Sequence, residues 1–299
     1  MRRKIIYLIN PIAGTRSKTY LRELIQRKTA AQGIPFELLP TRQDGSYADL
    51  VEKIRVDSIT DLVVCGGDGT VNAVIAATLG TAVNIGIIPA GSGNGLAFAA
   101  GIPVQPSRAL AVIFRGNARP TDAFYINDRF SCMLCGIGLD ASVAHAFAKQ
   151  KTRGLPSYAW LTAAELFKAK PYSFYLETRE ASVAKEAFFI CIANGNQFGN
   201  HVMIAPHANL HDGLLDIVVV KKMNKVTLPF SLISQAAGWH GRPHPLGQSL
   251  YRHIDYFQTD QLTLRNPQLA PLHIDGEPAP SQELFLIRTL PGCFRLLKP

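Results

Sequence analysis

The chain has no apolar run that approaches the roughly 20 residues a membrane-spanning helix needs, which excludes a helical membrane protein. Its first apolar stretch, Ile5–Ile9 after Met1-Arg2-Arg3-Lys4, ends at Asn10-Pro11 and is too short for a secretory leader. Cysteine is scarce. Five residues, an odd number without a framework spacing, predict reduced thiols in the cytoplasm rather than a disulfide scaffold. Acidic residues are in deficit, 22 against 31 basic ones, for a net charge of +9. That balance suits anionic nucleotides, anionic bilayers or a plain solvated surface. Basic residues are nowhere clustered and interleaved with aromatics, so nucleic acid is not an expected partner. There is no internal repeat and no low-complexity segment. At 47% hydrophobic and 18% charged, the 299 residues are enough for two globular domains.

Residues 1–121 alternate strand and helix. Strands are predicted near 4–9, 35–40, 61–65 and 84–88, and helices near 17–31, 46–56, 70–79 and 106–115. Each strand-to-strand interval can hold a crossover helix, so an α/β fold with a doubly wound parallel sheet follows. From Asp122 the pattern changes. Residues 123–126 and 129–134 flank the polar pair Asn127-Asp128 as a hairpin. Helices near 139–150 and 156–169 precede short strands near 172–179, 186–193, 214–220, 250–257, 260–265, 269–274 and 283–288, with one helix near 225–238. Residues 122–290 therefore read as a β-rich, sandwich-like second domain.

The chemistry concentrates at strand-to-helix junctions. Gly66-Gly67-Asp68-Gly69-Thr70 follows Leu62–Cys65 and precedes Val71-Asn72-Ala73. Bare backbone N–H groups at a helix N-terminus accept phosphate oxygens, and a Cβ at the glycines would hold the phosphate away. Asp68 would repel a phosphate, so it is expected to act through a metal ion or on a substrate proton. A second junction, Pro89-Ala90-Gly91-Ser92-Gly93-Asn94-Gly95, follows Asn84–Ile88, and a third, Asn10-Pro11-Ile12-Ala13-Gly14, follows Ile5–Ile9. Loops at the ends of parallel strands share one edge, where open α/β sheets bind ligands. Phosphoryl transfer is the reaction class this predicts.

The ordered set Asn10-Pro11…Gly14, Gly66–Thr70, Pro89–Ala97 and Asp275-Gly276-Glu277 resembles the diacylglycerol kinase catalytic family, which includes sphingosine kinases and bacterial lipid kinases. The resemblance implies a first domain like those of NAD kinases and phosphofructokinases, rejoined by residues 291–299. It implies ATP and Mg²⁺ as cofactors, a lipid acceptor entering between the domains, and a cytoplasmic enzyme in peripheral contact with a membrane surface. Oligomeric state stays open, a homodimer included. Carried over by position, Asn10, Pro11, Gly14, Thr41, Gly66 and the run Gly67 to Ala73 contact nucleotide, and Ser92 supplies a hydroxyl near it. Glu277 falls on the family's general base; read without the resemblance, Asp275-Gly276-Glu277 is a polar β-turn. Asp122 matches an acid of the metal–water network. Asp140 matches the acid that holds a sphingoid head group, or it caps a helix. Asp212, with the main-chain carbonyls of Asn209 and Leu214, matches a structural magnesium site, the alternative being a metal-free Asp-Gly turn.

Gly95 departs from the bacterial diacylglycerol kinases, which carry Asp there, and resembles the sphingosine kinases. A sphingoid base is therefore expected to be phosphorylated at least as well as diacylglycerol. The alternatives are a soluble-substrate kinase related to NAD kinase, and a catalytically silent nucleotide- or lipid-binding regulator. Cys132 and Cys135, three apart on a strand, are not expected to share a metal. His201, His207, His211, His240 and His244 are read as surface residues. Trp160, Leu161, Leu166 and Phe167, among lysines, read as an amphipathic core helix or as a face turned to lipid.

Overall fold

Residues 3–10, 18–42, 46–150, 155–199, 202–224 and 253–299 are described by the computed structural model. Pro11, Gly14, His201, His240, His244 and the helix expected near 225–238 lie outside them. The chain divides into two units, Met1–Thr121 with Gly292–Pro299, and Asp122–Pro291.

The first unit runs β1 (Ile5–Ile9), α1 (Lys18–Ala30), β2 (Phe36–Pro40), α2 (Ala48–Val56), β3 (Asp61–Gly66), α3 (Asp68–Thr78), β4 (Asn84–Pro89), α4 (Gly95–Ala99) and α5 (Pro106–Arg115), then enters β5 (Ala118–Ile126). All strand pairs among β1–β4 are parallel, in the order β4-β3-β1-β2. β1 and β3 are buried along their whole length, as near-continuous apolar strands covered on both faces must be. Because β2 and β3 flank β1 on opposite sides, the winding reverses at β1, and the crevice beyond its carboxyl end is a topological switch point. At the opposite edge, the Arg3 guanidinium accounts for a buried carboxylate. Its Nε donates to Asp61 Oδ2 at 3.0 Å, and its Nη atoms donate to the Ile113 and Phe114 carbonyls that end α5.

The second unit takes over within β5 and continues through β6 (Arg129–Ser131), β7 (Leu134–Gly138), α6 (Leu139–Ala148), α7 (Leu155–Lys168), β8 (Tyr172–Glu177), β9 (Ser182–Ala193), β10 (Gln197–Gly199), β11 (Val202–Met203), β12 (Leu215–Lys221), β13 (Ile254–Thr259), β14 (Gln261–Arg265), β15 (Leu272–Ile274), β16 (Glu277–Ala279) and β17 (Leu284–Leu297). The last residues of β17 belong to the first unit, where Arg295 and Leu296 pair in parallel with Asn84 and Ile85. Pairing within the second unit is antiparallel, with β9 at the centre bonded to β7, β8 and β12. Alternate residues such as Ile190 and Ile192, Leu215, Ile217 and Val219, and Phe285 and Ile287 fill one shared core.

The parallel sheet followed by a β-rich region is the architecture that the hydrophobic patterning predicts. Several elements differ in extent, three of them with a clear physical cause or consequence. α3 starts at Asp68, because Gly67 is its N-cap, so Asp68-Gly69-Thr70 is the first helical turn. The strand expected over 269–274 is only Leu272–Ile274, because the buried Asn266 side chain closes a loop by bonding the N–H and C=O of Ala270, with Leu269 at positive φ. The strand expected over 283–288 extends to Leu297.

Candidate active site

Four loop starts line the carboxyl edge of the first unit's sheet. The Asn10 amide N–H bonds the Cys65 carbonyl, and that of Thr41 bonds Ile9, so both residues are fixed by the sheet itself. Asn10 Nδ2 donates to Thr70 Oγ1 at 3.0 Å, joining the end of β1 to the first turn of α3. The two glycine-rich loops then meet backbone to backbone. The Ala90 N–H bonds the Gly66 carbonyl, and a Cβ on Gly67 would stand 3.0 Å from the Gly91 Cα. Ser92 and Gly69 are exposed, Val71 is buried, and Thr70, Asn72 and Ala73 are half-buried. Asn10, Thr41, Gly66–Thr70 and Ser92 are thus gathered on one edge, with the first-turn amides of α3 opening onto it.

Asp68 is the carboxylate at this edge. Its Oδ1 accepts from the Leu96 N–H at 3.4 Å, with the amides of Asn94 and Gly95 close enough to favour its charged form. A Cβ at Gly93 would come within 2.8 Å of its Oδ2. Burial pushes the Asp68 carboxyl up, against the lowering pull of those amides. The N-terminus of α4 therefore serves the Asp68 carboxylate, and the bare Gly95 lies inside that contact.

In the second unit, Asp275-Gly276 is the two-residue loop between β15 and β16, with Ile274 paired to Glu277. Both loop residues have positive φ, 50° and 83°, as a type I′ hairpin turn requires. Asp275 anchors it: Oδ1 accepts from Ser131 Oγ at 2.8 Å and from the Leu134 N–H at 3.0 Å. Glu277 stands exposed on the first residue of β16. Asp140 is the second residue of α6, whose N-cap is Gly138, so it is not the cap that one reading offered. Its carboxylate is nearly buried, and Oδ2 lies 3.4 Å from His273 Nε2.

Asp122 and the Asn209–Leu214 loop come together. The buried Asp122 carboxylate accepts the Gly213 N–H at 2.7 Å, and its own N–H bonds the Leu210 carbonyl. Asp212 Oδ1 accepts the Leu214 N–H at 3.1 Å, an Asx turn, while Asn209 is exposed. Burial and the charge of Asp122 raise the Asp212 carboxyl. Among the described residues no three His, Cys, Asp or Glu side chains converge as a metal site.

The family model for the diacylglycerol kinase catalytic domain matches residues 4–126, and that for the YegS C-terminal NAD kinase beta sandwich-like domain matches residues 134–298. The chain belongs to the diacylglycerol kinase catalytic family. As a member of that family it is a kinase. Proteins named "Probable lipid kinase YegS-like" are similar over most of their length. That of Chromohalobacter salexigens is 26% identical over 87% of this chain and 82% of its own, and that of Xanthomonas euvesicatoria pv. vesicatoria is 28% identical over 90% and 88%. A diacylglycerol kinase structure from Bacillus anthracis Sterne shares the fold, with a TM-score of 0.74 at 19% identity over 100% of this chain and 97% of that one.

Three residues escape the motif reading of this diacylglycerol kinase family member. Asn94, in the left-handed region at φ 54°, bonds both the N–H and the C=O of Gly91 at 2.8 Å and so shapes the second glycine loop. Asn194, fully buried, donates to the carbonyls of Asp122 and Cys132. His273 sits between Leu272 and Ile274, which face the core, so strand alternation assigns it to the other face. That alternation was the available signal. For Asn94 the signal was a polar side chain among four small residues.

Proposed function

We propose that the chain is an ATP-dependent kinase that transfers the γ-phosphoryl group to a hydroxyl of a diacylglycerol-like or sphingoid-base-like lipid. The observation that carries this reading is the apposition of the Gly67 and Gly91 loops beside Asp68, at the carboxyl edge of a parallel sheet. The similar proteins, named as probable lipid kinases, support a lipid acceptor.

In this reading the first-turn amides of α3 and the positive end of its dipole receive the phosphate oxygens. Asn10 orients Thr70, and Thr41 and Ser92 flank the nucleotide. Glu277 takes the proton of the lipid hydroxyl while that oxygen bonds the γ-phosphorus and the bond to the β-phosphate oxygen breaks. Asp68 and Asp212 suit a cation, because burial raises both carboxyls and a nearby positive charge would offset that cost. Mg²⁺ beside Asp68 would neutralise phosphate charge. At Asp212, with the Asn209 and Leu214 carbonyls, it would pin the loop that Asp122 holds.

Asp140 already faces His273, so a head-group amine would have to displace that contact. The reading therefore assigns the acceptor as a lipid hydroxyl without requiring an amine. A cytoplasmic location with peripheral contact to an anionic membrane fits the exposed Trp160 and Phe167, two turns apart on α7, with exposed Lys149, Lys168 and Lys170 nearby in the sequence. No helix among the described residues is long and apolar enough to cross a membrane.

Glu277→Gln tests the assignment. Nucleotide affinity by calorimetry should be unchanged and lipid phosphorylation should fall by about 100-fold or more. Turnover near that of the unmodified protein would remove Glu277 from the role of base.

A further inference from the structure

Beside the Glu277 hairpin, α6 is bonded to β15 at one point, and at a second the buried Asp140 Oδ2, which has no hydrogen-bond partner among the described residues, stands beside the His273 ring. His145 Nε2 lies 2.8 Å from the Leu272 carbonyl, and Asp140 Oδ2 lies 3.4 Å from His273 Nε2. The other ring nitrogen of His273 looks along the chain toward the turn: the Gly276 N–H donates to Nδ1 at 3.3 Å. A ring nitrogen that accepts an N–H carries no proton, so the proton is on Nε2, facing the carboxylate. The contact has been given room. A Cβ on Gly136, in β7, would overlap the Asp140 carboxylate and stand 2.5 Å from His273 Nε2, so a bare glycine underlies the pair. His273 and the Asp140 side chain are both at least nine-tenths buried. Ring orientation is therefore set by packing below and by a charge on one side.

We propose that His273 is a positioning residue for the reaction: Asp140 fixes its tautomer, and its Nδ1 holds the Gly276 amide so that Glu277 leaves the I′ turn in one direction. The inference rests on the reading of Glu277 as the general base. The turn needs such support. Its Asp275 end is anchored through Ser131 and Leu134, whereas Gly276, the residue bonded to Glu277, is exposed and has open space around its Cα. A base acts only within hydrogen-bond reach of the proton it removes, so a wandering turn would cost turnover rather than nucleotide affinity.

The experiment compares His273→Asn, His273→Gln and His273→Leu in the full chain. The Asn oxygen can occupy the place of Nδ1, the Gln amide reproduces only the Nε2 side, and Leu offers neither. Expected are a kcat near native for Asn and a kcat lower by about tenfold or more for Gln and Leu, with KM for ATP unchanged in all three. Gly276 amide exchange should quicken by about tenfold in Gln and Leu alone, the loss of one hydrogen bond. In the unmodified protein, nitrogen NMR of His273 should report the Nε2–H tautomer. Exchange at Gly276 is independent of turnover, so it separates failure of this inference from failure of Glu277 as base. An Nδ1–H tautomer, equal Gly276 exchange in all variants, or native kcat in His273→Leu together with a loss in Glu277→Gln would overturn it.

Discussion

Gly91 and Gly67 touch through their bare backbones: a Cβ on Gly67 would stand 3.0 Å from the Gly91 Cα, and a Cβ on Gly91 would overlap the Gly67 Cα. The two loops that carry the phosphate-binding chemistry are thus one structure, and neither glycine is replaceable by alanine without moving the other loop. Gly91→Ala is expected to lower stability by about 1–3 kcal/mol, the cost of overpacking, and to weaken ATP binding by more than the loss of stability explains. Chemical denaturation and calorimetry on the same preparation would check both. Unchanged nucleotide affinity would separate the loop contact from the binding site.

Asp68→Asn should abolish phosphoryl transfer while the fold remains. The substitution keeps the shape that the amides of Asn94–Leu96 surround and removes the charge. Circular dichroism should match that of the unmodified protein, and turnover should be lost at saturating ATP and Mg²⁺. Retained turnover would show that the Asp68 charge has no part in the reaction.

Asp216 makes stability depend on pH. Its carboxylate is fully buried, accepting from Tyr256 Oη at 2.6 Å and Gln258 Nε2 at 3.2 Å, and burial pushes its pKa up to about 6. A group that binds its proton more tightly in the folded state contributes stability fully at low pH, and that contribution is lost as pH rises from about 4 through about 6. Asp216→Asn should therefore be more stable than the unmodified protein at pH 7.5, by about 1–3 kcal/mol, and equal to it near pH 4. Urea denaturation at the two pH values decides the matter, and a variant less stable at both would contradict it.

The exposed aromatics of α7 predict a membrane phenotype without a folding one. Trp160 and Phe167 are 67% and 77% exposed, so replacing both with alanine removes little buried surface. Burying such a side chain in a bilayer contributes about 1.5–3 kcal/mol, so the double variant should bind anionic vesicles at least about tenfold more weakly. Salt should release the unmodified protein, as expected when basic residues contribute. Equal sedimentation of the two proteins would assign the aromatics no such role.

Legibility from the sequence followed the range of the interactions. β1, β3 and β4 were readable because each is a short, continuous apolar run ending at glycine, proline or asparagine. α5 was readable to the residue, from Pro106 at its start to Gly116 after its end, which is at positive φ as a C-terminal stop. The location of the glycine loops was readable for the same local reasons. Their mutual contact was not, since it joins residues 67 and 91 across two strands. Nor was the late start of β15, where one buried side chain, Asn266, outweighs the strand propensity of its neighbours. Asp140 illustrates the remaining gap: its charge and helix-start position were visible, but its partner His273 lies on a strand that only the fold brings alongside.

The most direct measurement incubates the purified chain with γ-labelled ATP, Mg²⁺ and a panel of diacylglycerols, sphingoid bases and NAD, and follows where the label goes. The account predicts label in an organic-extractable lipid phosphate, lost in Asp68→Asn and strongly reduced in Glu277→Gln. Asp140→Ala should then lower transfer to both lipid classes by similar factors. Label appearing in NAD, or in inorganic phosphate alone with every lipid in the panel, would contradict it.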